Sequence, residues 1–275
     1  MIRPALPSDQ SALESHLLAH VEGAMFPLAN LRAYGFTDSH PHAMRFWLGR
    51  GALGLSQSGM VMPCFAPQDA PAFAATLKGE TLTGLIGPAD QTRPLIRALG
   101  LQDAPCRVNK DEPGFELVLD RLILPDTQDY QLRSITPTDL PQITAWRIAY
   151  HLEILGTPAS EARQLAEQDI AHWLPADSHR ILFHNDQPVA LTGFNARLPE
   201  IVQIGGVYTP PERRAQGHAR RAVALHLAEA RKQGVARAVL FAASDKAARA
   251  YAAIGFSPRA AMALVLFQEP QKVPL

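Results

Sequence analysis

Residues 203–256 read QIGGVYTPPERRAQGHARRAVALHLAEARKQGVARAVLFAASDKAARAYAAIGF. The run 201–209 is apolar and holds β-branched residues, which predicts a strand. Pro210 and Pro211 stop it, because neither ring nitrogen can donate to a ladder. A loop with Arg213, Arg214 and Gln216 leads to Gly217 and a long helical pattern. Val223, Leu227 and Ala230 share one face of that helix. Gly234 stands where a helix ends in the left-handed conformation. A second strand is expected at 238–242. A short alanine-rich helix follows at 245–253 and closes at Gly255 and Phe256.

The chemistry starts in the loop. A helix opening after Gly217 has first N–H groups without partners inside the helix, and it aims its positive end at what lies in front. Gly217 and Ala219 keep the approach clear of bulk. Arg213, Arg214, Arg220 and Arg221 add positive charge. Such a turn is suited to a phosphate or pyrophosphate. An ordinary strand–loop–helix with a solvated basic start is the alternative these residues leave open.

Arg214-Ala215-Gln216-Gly217-His218-Ala219 resembles the R/Q-x-x-G-x-G/A signature of the GNAT superfamily of N-acetyltransferases. A second family pattern, N-x-x-A-x-x-x-Y-x-x-x-G-F, is met by Ala247, Tyr251, Gly255 and Phe256, with Ser244 in the asparagine place. The resemblance covers roughly residues 130–267 and is closest to a bacterial branch that carries a degenerate GNAT-like half in front. It implies an α/β (α+β) fold: tandem GNAT-like units, each a mixed, mostly antiparallel sheet with a splayed strand pair flanked by helices.

The resemblance also implies roles. Acetyl-CoA is the co-substrate and no metal is needed. The pyrophosphate lies on Arg214, Ala215, Gln216, Gly217, His218, Ala219 and Arg220, with the backbone of His218 rather than its imidazole in use. A backbone N–H within Val207, Tyr208 and Thr209 polarises the acetyl carbonyl, and Ser244 and Ala247 border the pantetheine. Tyr251 protonates or steadies the departing thiolate. A primary amine attacks directly in a ternary complex, and Glu153 or Glu200 takes its proton. Trp146, Arg147, Tyr150 and His151 stand on or near the acceptor wall. Ala215 replaces a frequent glycine and is expected to serve with an ordinary φ. Ser244 is a shorter contact than asparagine. The same features admit a non-catalytic CoA-binding or sensing module, or an acyltransferase using a different acyl-CoA. The acceptor is a small-molecule or peptide amine, and a homodimer is compatible with the family.

Composition bounds these readings. The chain has 275 residues, 47% of them hydrophobic, and a formal net charge of zero. It is long enough for two ordinary domains with real cores. The charge balance gives no general pull towards nucleic acid or an acidic membrane surface. No apolar run approaches a bilayer span, and the first residues lack a signal-peptide core, so a cytoplasmic protein is expected. Cys64 and Cys106 are the only cysteines and read as small buried thiols.

The N-terminal half shows helices over 8–36, broken near Gly23, then strands at 43–48, 52–56 and 60–65. A helix at 71–77, a strand at 82–86, a helix at 89–99 and a strand at 116–122 follow. That order shadows the second half, and Gly87-Pro88 takes the place of the phosphate loop without its arginines. Domains are therefore expected at 1–123 and 130–275, with 124–129 as linker. Within the second, a strand at 130–135 precedes helices at about 137–155 and at 160–173, the latter stopping before Pro175. Strands at 180–184 and 188–194 are joined by Asn185-Asp186.

Overall fold

Short apolar runs rich in leucine and methionine, punctuated by turn residues, build an antiparallel meander in the N-terminal part of the chain. The computed structural model describes residues 2–36 and 39–275. Strand β1 (Arg3–Pro4) is followed by helices α1 (Gln10–Ala19) and α2 (Val21–Tyr34). Strands β2 (Met44–Leu48), β3 (Ala52–Ser56) and β4 (Met60–Cys64) come next, then α3 (Ala70–Ala74), β5 (Thr81–Pro88), α4 (Ala89–Ala98) and β6 (Cys106–Val118). The second series begins with β7 (Tyr130–Ser134), α5 (Leu140–Glu153), α6 (Ala159–Ala176), β8 (His179–His184) and β9 (Gln187–Arg197). It continues through β10 (Ile201–Tyr208), α7 (His218–Lys232), β11 (Arg237–Phe241), α8 (Asp245–Ala252) and β12 (Ser257–Lys272).

Two compact units emerge, one built from two separate segments and the other continuous. One comprises Met1–Pro113 with Ala260–Leu275; the other is Gly114–Arg259. A cut at 124–129 therefore does not separate them. The reason is strand pairing: Gly114 to Val118 bond antiparallel to Phe241 to Arg237 of β11, whereas Met262 to Leu266 bond antiparallel to Pro88 to Gly84 of β5. Each unit thus takes in the strand that the other's chain order would supply. The strand expected at 116–122 also ends earlier, at Val118, and a single tight turn, Leu119–Arg121, follows.

The two units share a strand pattern. In the first, β2, β3 and β4 pair antiparallel in turn, and β4 pairs parallel to β5 with Met60 opposite Gly84. In the second, β7, β8, β9 and β10 pair antiparallel in turn, and β10 pairs parallel to β11 with Ile201 opposite Arg237. The turn that corresponds to the phosphate loop in the first unit is therefore the one after β4, not Gly87-Pro88. That turn, Phe65-Ala66-Pro67-Gln68-Asp69, carries neither glycine nor arginine. It leads into a helix of only five residues. Gly87 lies against Pro63, so β4 and β5 stay packed at their ends.

Each unit has its own core. Leu53, Leu55, Val61, Phe73, Leu82, Leu85 and Leu95 pack with Val265 and Phe267 in the first. In the second, the buried stripe Val223, Leu227, Ala230 of α7 meets Val202, Ile204, Ala238 and Leu240 of the sheet. On the other face, Ile143 and Trp146 of α5 join Ile170 and Trp173 of α6. Helix α6 runs through Pro175 rather than stopping before it. The proline sits in the last turn, where it removes one bond of the ladder and crowds the carbonyl four residues back, and Asp177 closes the helix two residues later at φ 44°. Asn185 and Asp186 (φ 47° and 60°) form the two-residue hairpin turn that their types favour.

His226 of α7 is buried against Phe194, ring centroids 3.8 Å apart. Burial, with Arg180 and Arg197 nearby, pushes its pKa down to about 3. The unfolded chain therefore binds this proton more readily than the folded one. The stability that His226 contributes is complete above its ordinary value near 6.5 and is lost as pH falls from there towards 3, at up to about 1.4 kcal/mol per pH unit. In melting curves between pH 7 and pH 4.5, His226→Phe is expected to flatten the acid decline of the second unit. An unchanged slope would remove His226 as its source.

Candidate active site

Strand β10 is paired with β11 only from Ile201–Arg237 to Ile204–Leu240. Beyond that, Gly205 and Tyr208 continue to pair with β9, opposite Gly193 and Leu191. Two residues of β10, Gly206 and Val207, face one of β9, so the ladder bulges here. Gly206 has φ +61°, and a Cβ there would lie 3.1 Å from Nε2 of His179. Only glycine takes this position without strain. Past the bulge a cavity of about 960 Å³ opens, lined by residues 204–209 on one side and by Leu240, Phe241, Ala243 and Ser244 on the other. That volume lies at the upper end of ordinary ligand sites.

The loop after β10 forms a further wall. Residues 213–221 all line the cavity. Gly217 caps α7 at φ +77°, and a Cβ on it would stand 2.7 Å from Nη1 of Arg221. The first helical bond runs from the Arg221 N–H to the Gly217 carbonyl at 3.1 Å. The N–H groups of His218, Ala219 and Arg220 therefore have no partner within the helix. Nε of Arg220 and Oγ1 of Thr209 are buried without a hydrogen-bond partner. An unanswered guanidinium N–H is costly in a folded protein and calls for an acceptor from water or a ligand. The cavity thus combines a helix N-terminus, surplus cations and unanswered donors, which suits a phosphorylated group.

Side chains hold the loop in this shape. The buried imidazole of His218 bonds the Tyr130 hydroxyl through Nδ1 and the Gln216 amide oxygen through Nε2, each at 3.2 Å. Burial, with His184, Arg221 and Arg213 around it, lowers its pKa. Its ring is therefore a strut, more than the bystander expected from the sequence. Arg221 donates to the carbonyls of Asp126 and Gln216 at 2.7 and 3.1 Å and lies over the Tyr130 ring. Ala215 departs from expectation: its φ is +62°, the left-handed region that favours glycine.

The expected residues fall into three groups. Val207, Tyr208, Thr209, Arg214, Ala215, Gln216, Gly217, His218, Ala219, Arg220, Ser244, Ala247 and Tyr251 all line the cavity. Tyr251 is mostly buried and meets Phe256 edge-on at 6.1 Å. Oγ of Ser244 accepts from the Ala247 N–H at 3.2 Å, capping α8, so its main bond is local. Glu153 lines the cavity but forms a two-pronged pair with Arg214, both contacts at 2.7 Å. That pair holds its pKa below the usual carboxylate range, which makes a weaker base. Glu200 lies at the opposite end of β10, roughly 25 Å from Tyr208 by strand rise. Its carbonyl accepts from the Ala236 and Arg237 N–H groups, and it does not line the cavity.

Other residues were not anticipated. Lys246 and Arg249 of α8 line the cavity beside Ala247 and Tyr251. The i,i+3 and i,i+4 spacing of Lys246 from Arg249 and Ala250 on one helix face is a signal that the sequence holds. Asp169 of α6 was not legible as a partner. It accepts from Arg147 Nε at 2.6 Å and bonds His151 at 2.8 Å, while His151 also meets Thr157 at 3.1 Å. This buried knot joins α5 to α6 and leaves His151 a structural residue. Among the described residues, no cluster of His, Cys, Asp or Glu is arranged to hold a metal ion. No described helix is long and apolar enough to cross a membrane.

A parallel pair that parts beside a glycine-containing loop and a helix N-terminus defines a class of α/β fold with a ligand cleft between two strands. Residues 142–256 match the model of the acetyltransferase (GNAT) family. No curated protein sequence matches the chain. Among solved structures, a GNAT-family acetyltransferase from Colwellia psychrerythraea aligns over 98% of this chain and 100% of its own, with TM-score 0.56 and 13% identity. A GCN5-related N-acetyltransferase from Kribbella flavida aligns over 94% and 96%, with TM-score 0.55 and 17% identity. A tandem GNAT protein from the clavulanic acid biosynthesis pathway aligns over 100% and 99%, with TM-score 0.53 and 17% identity. At these identities the likeness is one of fold, and it spans both units.

The strain at Ala215 gives a test. Left-handed backbone costs a non-glycine residue about 1–2 kcal/mol, and glycine returns part of this as chain entropy. Ala215→Gly is expected to stabilise the second unit by about 0.5–1 kcal/mol, read as a higher melting temperature. A lowered melting temperature would mean that Ala215 makes contacts worth more than its strain.

Proposed function

We propose that the chain transfers an acetyl group from acetyl-CoA to a primary amine, by direct attack within a ternary complex. The observation that carries this reading is the cavity between the parted strands, closed at one end by the N-terminus of α7. Its shape and charge fit a ligand with a narrow arm and a pyrophosphate. Arg220 and the N–H groups of residues 215–219 would hold the phosphates. The arm would pair with backbone groups of β10 and of residues 241–244, which have no strand partner across the gap.

Acetyl-CoA supplies the activated acyl group, and the chain's own residues do the rest. The backbone of Val207, turned out of the β9 ladder by the bulge, donates towards the carbonyl oxygen as negative charge develops there. Tyr251 lines the cavity and shares a core cluster with Leu240 and Ala242 at the second strand's end; it serves as the donor to the departing thiolate sulfur. Tyr150 and Glu153 of α5 border the acceptor's side of the cavity. Val207, Tyr208 and Tyr251 limit the room around the acyl group. These residues carry the acyl and acceptor preference.

Calorimetric titration with acetyl-CoA checks the first half of the reading. Micromolar binding is expected for the intact chain. Gly217→Val places a side chain on the loop at positive φ and is expected to weaken binding at least about tenfold. A chain that binds neither acetyl-CoA nor CoA would overturn the proposal.

The second half rests on Tyr251. Tyr251→Phe is expected to lower kcat about 10- to 100-fold against an amine substrate found by thiol release, with acetyl-CoA affinity unchanged. Unchanged turnover would take the proton donor's role away from Tyr251. Tight binding without thiol release towards any amine would instead favour a CoA-binding module.

A further inference from the structure

Glu153 is the last residue of α5, and Arg214 begins the loop that leads to α7. Their side chains meet across the wall of the cavity, each 40% exposed. Both Nη atoms of Arg214 bond Glu153, and Nε donates to the Thr209 carbonyl at 2.9 Å. Each nitrogen of the guanidinium therefore already has a partner within the protein. The other cations that line the cavity are Arg213, Arg220, Arg221, Lys246 and Arg249, whereas Glu153 is the one carboxylate among its described lining residues. A pyrophosphate entering the loop meets an arginine whose charge is already cancelled and a carboxylate beside it.

We infer that the Glu153–Arg214 pair is a latch that holds down affinity for pyrophosphate-bearing ligands and opens when one binds. Arg214 exchanges two carboxylate oxygens for phosphate oxygens, which keeps its fork satisfied. Glu153 is then left on the acceptor's side of the cavity without its cation. The ammonium of an incoming amine restores the balance, so filling the phosphate loop prepares the opposite wall for the acceptor. The exchange needs only side-chain rotation, because both partners are partly in solvent. It rests on the acetyl-CoA reading above, and it gives Glu153 a task that a fixed strut would not have.

The test is a double-mutant cycle read by calorimetric titration with CoA: wild type, Glu153→Gln, Arg214→Gln and the double variant. An exposed two-pronged pair shifts an equilibrium by about two- to fivefold. Glu153→Gln is expected to bind CoA about two- to fivefold more tightly than wild type. Arg214→Gln is expected to bind more weakly, and adding Glu153→Gln to it should change nothing, because no latch remains. Tighter binding that persists in the double variant would overturn the inference, since it would trace to general charge removal. Equal or weaker binding by Glu153→Gln would overturn it too, leaving the pair as a strut. If wild type binds no CoA, the acetyl-CoA reading falls along with it, and the two failures are told apart by that first titration.

Discussion

The second unit depends on a hydrogen-bonding constraint at the point where β10 and β11 cease to pair. Every buried backbone N–H and C=O needs a partner, so a strand pair that opens inside a sheet is tolerated only where something else can pair with it. Here the opening is enforced from several directions. The bulge at Gly206–Val207 turns the chain, Pro210 and Pro211 forbid a continuing ladder, and the close approach of His179 admits no side chain at Gly206. The loop is then fastened by His218 on Tyr130 and by Arg221 on the Asp126 carbonyl. Helix α7 is left with its N-terminus facing the gap.

The first unit shows what the same strand order becomes without those devices. Its parallel pair, β4 and β5, is followed by a turn with no glycine and no arginine, and Pro63 packs on Gly87 where the other unit opens. The helical segment after β4 opens on a 3-10 turn with Pro67 at its first position, so it offers one N–H fewer than the start of α7. Its core is nonetheless well formed, with Leu53, Leu82, Leu85 and Leu95 fully buried. Fold and ligand chemistry are therefore separable here: the sheet survives the loss of the loop.

Much of the second unit was legible because its signals are local. Proline stops, a glycine before a helix, and apolar stripes at helical spacing act within a few residues, and β10, α7, β11 and α8 fall close to their expected bounds. Signals that act over long separations were not legible. Glu153 reads as a free carboxylate until α5 is seen to bring it against Arg214, 61 residues away. Glu200 reads as near the site because it adjoins β10, yet it lies at the wrong end of that strand. The phosphate-loop counterpart in the first unit was misplaced by one helix, because only pairing shows that β4 and β5, rather than β5 and β6, make the parallel pair. The φ of Ala215 is a property of the closed loop and has no sequence signature.

The composition of the first unit has a consequence for how the chain is made. Its sheet includes Met262 to Leu266 alongside β5, and these are synthesised only after the whole of residues 114–259. A ribosome delivers the chain from the N-terminus, so β5 emerges long before its neighbour exists. Until then its outer edge offers unpaired backbone and the apolar faces of Leu82 and Leu85 lack the cover of Val265 and Phe267. Residues 114–259, by contrast, are contiguous and can close as soon as they leave the tunnel. The unit that is translated first is thus completed last, and a chain broken off before residue 260 would hold a finished second unit and an unfinished first one.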